Sequence, residues 1–515
     1  MSGTSVASIS EARHKALSGR FLIVSDRLPI VLTRDESEGW HAAPAAGALI
    51  SALAPVLRDH RGTWIGWPGV SEEEVPALRE VLAGAIQAGG YPLRPVSLTE
   101  QEKRGCYGGF SGEVIWPLFH DLQLECNFDP AYWRAYQKVN RKFARAVANA
   151  LSRKGSRSDF VWVHDHLLMS VAAELRKLGT TATTAFFSHL PFPSPDVFVK
   201  MPWRDRLLAS LLAYDQVGFQ TPRDLVNFLD CVRLLVPGVY LEPCGGRFWS
   251  IRGAEIDLKA GAFPIGVDFQ DLASRAAQPE VESRAAALSA TFGGRRGRRM
   301  ILGVDRLDRS KGIVEKLRAF AEALARYPKE LREKVVLVQI VVPSREELPR
   351  HAALRTEIER LVGEINGRFG GLGWTPVHYL YRSLDPLDLL AHYRAADVAL
   401  VTPLKAGMNL VAKELCAAHL DGRAALVLSE FAGAAAQLAD GALLVNPYDA
   451  RATARTLVRA LRLPPEERAA RMRKLRDRVR REDISWWTES FLEAALAGSA
   501  AEPSRRETAG LASYR

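Results

Sequence analysis

Two series of short apolar runs, separated by stretches of amphipathic helical composition, constrain this chain more than any other feature. The first comprises FLIVS (21–25), FVWVH (160–164), TAFFSH (184–189), QVGF (216–219) and AFPIG (262–266). The second comprises MILGV (300–304), VVLVQIVV (335–342), VHYLY (377–381), DVALVTP (397–403), ALVLSE (425–430) and ALLVNP (442–447). Runs without polar alternation suit strands buried on both faces, and strands alternating with helices build parallel βαβ sheets. The series break after Gly266–Asp271, where a polar, alanine-rich stretch follows. A chain of 515 residues is too long for one core. The expected fold is α/β, with two Rossmann-like doubly wound domains, 20–266 and 267–482, facing across a cleft. Ligands of such sheets bind beyond the carboxyl ends of the strands.

The ends carry less. Residues 1–19 and 498–515 read as a disordered extension and a disordered tail. The segment DISWWTESFLEAAL (483–496) holds Trp486 and Trp487, whose indoles need a surface. A helix over 483–497 packing back across the domain junction provides one. No run approaches the roughly 20 apolar residues that span a bilayer, so no membrane partner is expected. Cys106, Cys126, Cys231, Cys244 and Cys416 are scattered without a CxxC, which fits a reducing cytoplasm. The formal charge of +10 suits anionic partners. The basic clusters GGRRGRR (293–299) and RAARMRKLRDRVRRED (468–483) lack interleaved aromatics. Small phosphorylated substrates are therefore expected rather than nucleic acid. Self-association stays open.

Candidate chemistry gathers at strand ends. VSDRLP supplies Arg27, VHDHLL supplies His164, Asp165 and His166, and FFSHLPFP supplies His189. GVDRLDRSKGI supplies Arg306 and Lys311. A planar guanidinium fork and an ammonium five residues apart can grip a diphosphate, although pairing with Asp305 and Asp308 is an alternative. In VTPLKAGMNLVAKE (401–414) a helix is expected to start near Gly407. Its free N–H groups and positive dipole end favour phosphate, and Glu414 can accept from a ribose. An ordinary surface helix is the alternative. In HDH, two histidines at i and i+2 share a strand face while Asp165 points away. A third ligand is not evident, and no metal site is expected.

Taken in order, these residues resemble the trehalose-6-phosphate synthase family, family 20 of the retaining glycosyltransferases. The likeness covers about residues 20–495. It includes GTWIGWPG (62–69), YGGFSGEVIWPLFH (107–120), FFSHLPFPSPDVF (186–198), RLDRSKGI (306–313), INGRFGGLGWTP (365–376), GMNLVAKE (407–414) and LSEFAGAA (428–435). The resemblance implies the GT-B fold, with the first domain binding the acceptor and the second the nucleotide sugar. It implies transfer of glucose, usually from UDP-glucose, to glucose 6-phosphate, giving α,α-trehalose 6-phosphate with retention and without a metal or other cofactor. Arg27, Tyr107, Trp116 and Arg345 match the acceptor-phosphate pocket, and Asp165 matches the residue that holds the acceptor sugar. His189 matches a donor-sugar contact, Arg306 and Lys311 the diphosphate clamp, Leu410 and Val411 the backbone contacts, and Glu414 the ribose ligand. Asp165, His189, Arg306 and Lys311 are the catalytic set this implies.

Three departures bear on function. Ala406 stands where the family has an Asp that hydrogen-bonds the donor sugar. Ala46 precedes Gly47 where the family often has paired glycines in a loop covering the donor. Asp26 replaces the family's Asn before Arg27. Two further readings therefore stand beside the first. One is a sister enzyme with another donor or acceptor, such as glucosylglycerol-phosphate synthase with ADP-glucose and glycerol 3-phosphate. The other is a weakly active homologue that binds sugar phosphates.

Overall fold

In the computed structural model of the protein, the described residues are 19–35, 39–45, 47–151, 154–293, 297–344 and 349–497. The expected disordered ends lie outside them, Gly19 excepted. The strands are β1 (Phe21–Arg27), β2 (Ile30–Asp35), β3 (Gly39–Pro44), β4 (Thr63–Trp67), β5 (Leu93–Pro95), β6 (Phe160–His164), β7 (Thr183–Phe187), β8 (Gln216–Phe219), β9 (Tyr240–Pro243), β10 (Phe248–Arg252), β11 (Asp257–Ala262), β12 (Arg299–Arg306), β13 (Val335–Val342), β14 (Val377–Tyr381), β15 (Val398–Val401), β16 (Ala425–Ser429) and β17 (Leu443–Val445). The first sheet runs β5-β4-β1-β6-β7-β8-β11-β10-β9, and the second runs β14-β13-β12-β15-β16-β17. All pairings are parallel except at the β9–β10–β11 edge and in the separate β2–β3 pair.

The topology positions the site. In the first sheet the chain moves outward from β1 through β4 and β5, then returns to β6 beside β1 and moves the other way. In the second it reverses between β12 and β15. A strand-order reversal leaves a crevice at the carboxyl ends of the central strands. Those ends carry Asp26–Arg27, His164–Asp165 and Asp305–Arg306.

β6 and β13 follow their apolar runs because both faces are covered; every residue of β6 is buried. AFPIG differs from its expected strand. β11 ends at Ala262, and Phe263–Asp268 forms an irregular apolar connector. Phe263 and Ile265 are buried, so an apolar run here reflects an enclosed crossing rather than a strand. The chain crosses back at the same place. A Cβ on Gly266 would lie 2.2 Å from the Asp483 carbonyl carbon, so only glycine lets the two crossings touch. The Ile484 N–H donates to the Val267 carbonyl at 3.1 Å. The helix Ile484–Ala497 then lies on the first domain. Trp487 packs on Trp162 and Phe187 with ring centroids 5.4 and 5.0 Å away, and Phe491 stacks on Trp162 at 4.5 Å. Trp486 lies beneath the Arg247 guanidinium at 4.7 Å. Among the described residues no helix is long and apolar enough to cross a membrane.

Candidate active site

Both switch points open into one cavity of about 1600 Å³ between the domains. Its first-domain end is built on a break in β1. The β1–β4 register shifts between Val24 and Arg27, and such a bulge turns side chains out of strand alternation. Arg27 reaches the cavity with its guanidinium 4.8 Å from the Trp67 ring centroid, and Lys103 Nζ lies 5.8 Å from the same ring. Tyr107 comes from a wide, π-helical segment, Arg104–Ile115. Its hydroxyl donates to the Asp26 carbonyl at 2.9 Å. Trp116 stacks on His120 at 4.4 Å, and the Arg306 guanidinium of the second domain sits 5.9 Å from its ring. Burial pushes His120 down to about 4, so it is neutral; its Nδ1–H donates to the Trp116 carbonyl.

The middle of the cavity holds His164, Asp165, His166 and His189. The strand-alternation reading of HDH fails here. Asp165 lies just past β6 with φ 71°, a conformation rare for a residue with a Cβ. That turn aims all three residues at the cavity. Burial pushes the Asp165 carboxyl up, but the neighbouring His166, with Nδ1 3.0 Å from Oδ1, holds it well below the usual range. It stays a carboxylate. Burial lowers both His164 and His189, whose Nδ1 and Nε2 lie 3.4 Å apart. A neutral pair beside a fixed carboxylate can accept and donate hydrogen bonds to sugar hydroxyls.

The second-domain end is cationic. Arg306 closes β12 and Lys311 closes the short turn Arg309–Lys311. The suggested pairing of these cations with Asp305 and Asp308 is not the arrangement found. Asp305 takes Lys316, with Nζ 2.5 Å from Oδ2, and Gln339 at 3.0 Å, both fully buried. Asp308 caps the Ser310 N–H and hydroxyl. Burial lowers Lys311, the nearby Asp308 raises it, and Arg306 lowers it further. A bound anion would reverse the net effect. The helix expected near Gly407 starts at Leu410, with Asn409 at φ 78° accepting from the Ala412 N–H. Residues 407–409 form the loop before it. A Cβ on Gly407 would lie 2.3 Å from the His189 carbonyl oxygen, so this loop touches the first domain only as glycine. Leu410 and Val411 thus sit at the first helical turn, where backbone N–H groups are free to bind anions. Glu414, one turn on, accepts from the Tyr393 hydroxyl at 2.8 Å, and burial raises its carboxyl.

The family model described as glycosyltransferase family 20 matches residues 19–496. The chain belongs to glycosyltransferase family 20. It is 41% identical over 495 residues, 95% of each chain, to the trehalose-6-phosphate synthase of Mycolicibacterium smegmatis. An E. coli structure bound with UDP-2-fluoro glucose is similar with a TM-score of 0.82 and 34% identity, covering 94% of this chain and 100% of that one. A UDP-forming α,α-trehalose-phosphate synthase from Burkholderia xenovorans, in complex with glucose-6-phosphate, gives a TM-score of 0.80 and 34% identity over 93% of this chain and all of its own. Its neighbours being trehalose-phosphate synthases, the family 20 chain is a GT-B glycosyltransferase.

Of the residues singled out from sequence, Arg27, Gly47, Tyr107, Trp116, Asp165, His189, Arg306, Lys311, Leu410, Val411 and Glu414 all line this cavity. Ala46 and Arg345 lie outside the described residues. Ala406 is buried at the cavity wall. Sequence reasoning passed over Trp67, Lys103, His120 and Tyr393. Trp67 and His120 fall inside quoted family segments, but nothing in spacing marks them. Among the described residues no group of three His, Cys, Asp or Glu could hold a metal ion.

Proposed function

We propose that this chain moves glucose from UDP-glucose to glucose 6-phosphate, forming α,α-trehalose 6-phosphate with retention at the anomeric carbon. One observation carries the reading: a single cavity has a cationic end on each domain, with Asp165 and His189 between them. Such a space suits two anionic substrates meeting at their sugars. Arg27, Tyr107 and Trp116, joined by Arg345, hold the acceptor phosphate, and Asp165 accepts from the acceptor hydroxyls. His189 contacts the donor sugar, with Ala46 and Gly47 in the covering loop. Arg306, Lys311 and the N–H groups of Leu410 and Val411 hold the diphosphate, and Glu414 takes the ribose.

In this reading the bond from the anomeric carbon to the diphosphate oxygen breaks as the acceptor oxygen bonds to the same carbon on the same face. The acceptor proton passes to the departing phosphate oxygen. Arg306, Lys311 and the helix start stabilise the charge that develops there, without a metal or other cofactor. Positioning by both ends of the cavity supplies the rest. A cytoplasmic setting belongs to the same proposal and is supported by the scattered cysteines.

The test is nucleotide release with UDP-glucose or ADP-glucose, each offered with glucose 6-phosphate or glycerol 3-phosphate. Release with UDP-glucose and glucose 6-phosphate, and trehalose 6-phosphate as product, is expected. Turnover with glycerol 3-phosphate alone would select the sister reading, whereas the apolar Ala406 is the main support of the weakly active homologue. Binding without turnover would select the weakly active homologue.

A further inference from the structure

Asp26 lies half-buried at the acceptor end of the cavity beside Arg27. Asp26 lies in β1 where the register against β4 shifts, and three bonds fix that backbone. The Ser25 hydroxyl donates to the Arg27 carbonyl at 2.6 Å, Trp64 Nε1–H donates to the Ser25 hydroxyl oxygen at 2.7 Å, and the Tyr107 hydroxyl donates to the Asp26 carbonyl. Asp26 therefore lines the acceptor end of the cavity together with Arg27 and Asp165. The groups facing it are Arg27 on its own strand, Asp165 and His166 after β6, and Cys106 and Tyr107 from Arg104–Ile115. Lys103 lies over Trp67 nearby.

The two carboxylates are unequal. Asp165 is locked as an anion by His166 at 3.0 Å. The Asp26 carboxyl is lowered by His166, then by the Arg27 guanidinium and the Arg27 N–H, which together do not offset its burial and the Asp165 charge. Burial and the neighbouring Asp165 charge raise its carboxyl above the usual range. A phosphorylated acceptor at Arg27 brings up to about two further negative charges to the same end. Like charges in one site favour neutralising the weakest-held member.

We propose that Asp26 is a specificity-determining residue for the acceptor: its carboxyl group takes up a proton from solvent when a phosphorylated acceptor binds beside it. This rests on the reading of Arg27 as the acceptor-phosphate site. The sign follows. Ionised Asp26 repels the phosphate, so affinity for anionic acceptors falls as pH rises through the titration of Asp26 in the free protein. An uncharged acceptor makes no such demand. The acceptor's own second ionisation, near about pH 6, acts equally on wild type and on Asp26→Asn, which mimics the protonated acid.

The experiment measures glucose 6-phosphate binding by calorimetry for wild type and Asp26→Asn from about pH 5 to about pH 9. It uses two buffers of different ionisation enthalpy, with glucose as the uncharged control. The ratio of wild-type to variant dissociation constants should rise roughly tenfold or more from the acid end to the alkaline end. Wild type should take up more protons on binding than the variant, and glucose should show neither effect. Parallel profiles with equal proton uptake overturn the proposal and leave the function reading standing. Failure of wild type to bind glucose 6-phosphate at any pH overturns both. Should Asp26→Asn not fold, proton uptake by wild type beyond that of the phosphate decides the matter alone, and its absence refutes the proposal.

Discussion

Tyr393→Phe isolates the control of Glu414. Tyr393 lies on the helix Pro386–Ala395 and is buried; its own ionisation is pushed well above the usual value by burial, so the hydroxyl always carries its proton. It donates to Glu414 Oε2 at 2.8 Å. Burial raises the Glu414 carboxyl, and this hydrogen bond works against the rise. A hydrogen bond to a charged group is worth roughly 1.5–3 kcal/mol, or about one to two pKa units. Removing the hydroxyl should raise the Glu414 titration by that amount. In the proposed reading a ribose donates to the ionised carboxylate, so donor affinity is gained as pH rises through the carboxyl pKa and lost below it. In Tyr393→Phe the midpoint of that gain should move upward by about one to two pH units. The two proteins should differ most between the midpoints and converge at alkaline pH. Calorimetry with UDP across pH reads this directly, since the diphosphate ionisation is common to both. A loss of affinity uniform across pH would mean that the ring only fills space, and an unchanged midpoint would refute the assignment of Glu414.

Three further substitutions test other parts of the site. Lys316→Met leaves buried Asp305 without its cation and should destabilise the protein by about 3–5 kcal/mol in denaturant titration, whereas Lys316→Met with Asp305→Leu should recover most of that loss. Equal loss in both would contradict the charge argument. Ala406→Asp should raise turnover about ten- to a hundredfold if a charge-assisted hydrogen bond to the donor is what this chain lacks; unchanged steady-state turnover would remove that account. Arg27→Ala should raise KM for the phosphorylated acceptor more than tenfold and leave the donor KM nearly unchanged, by analogy with loss of a charged hydrogen bond; equal effects on both substrates would remove Arg27 from the acceptor pocket.

What could be read in the sequence depended on whether the signal was local. FVWVH and VVLVQIVV coincide with β6 and β13 because a strand covered on both faces needs an apolar residue at every step. β9 and β10 gave no such run, since they form the exposed antiparallel edge. AFPIG misled because enclosure in the domain crossing demands the same residues as burial in a sheet. In the site, Arg306 and Lys311 share one loop and could be paired by spacing. Asp165 could not be oriented from sequence, because its φ of 71° abandons the alternation on which that reading relied. Tyr393 was silent, meeting Glu414 only when two helices pack.

The two cationic ends belong to different domains, so the distance between them depends on how the domains meet. At the hinge, Gly266 and Asp483 cross in contact. Across the mouth, the links are the Lys405–Asp121 ion pair at 2.7 Å, the Arg350 bond to the Gly112 carbonyl at 2.5 Å, and Gly407 against the His189 carbonyl. The ion pair is half-exposed on its Asp121 side, and pairs of that kind contribute about 0–1 kcal/mol. Arg27 and Lys103 at one end and Arg306 and Lys311 at the other place like charge in one cavity, offset in part by Asp26 and Asp165 at the first end and by Asp308 near Lys311. In the proposed reading, a diphosphate at Arg306 and Lys311 and a phosphate at Arg27 would lower the repulsion that remains between the two ends. In that reading, occupancy of both ends favours approach of the domains, which would enclose the donor's scissile bond when an acceptor is present to receive the sugar.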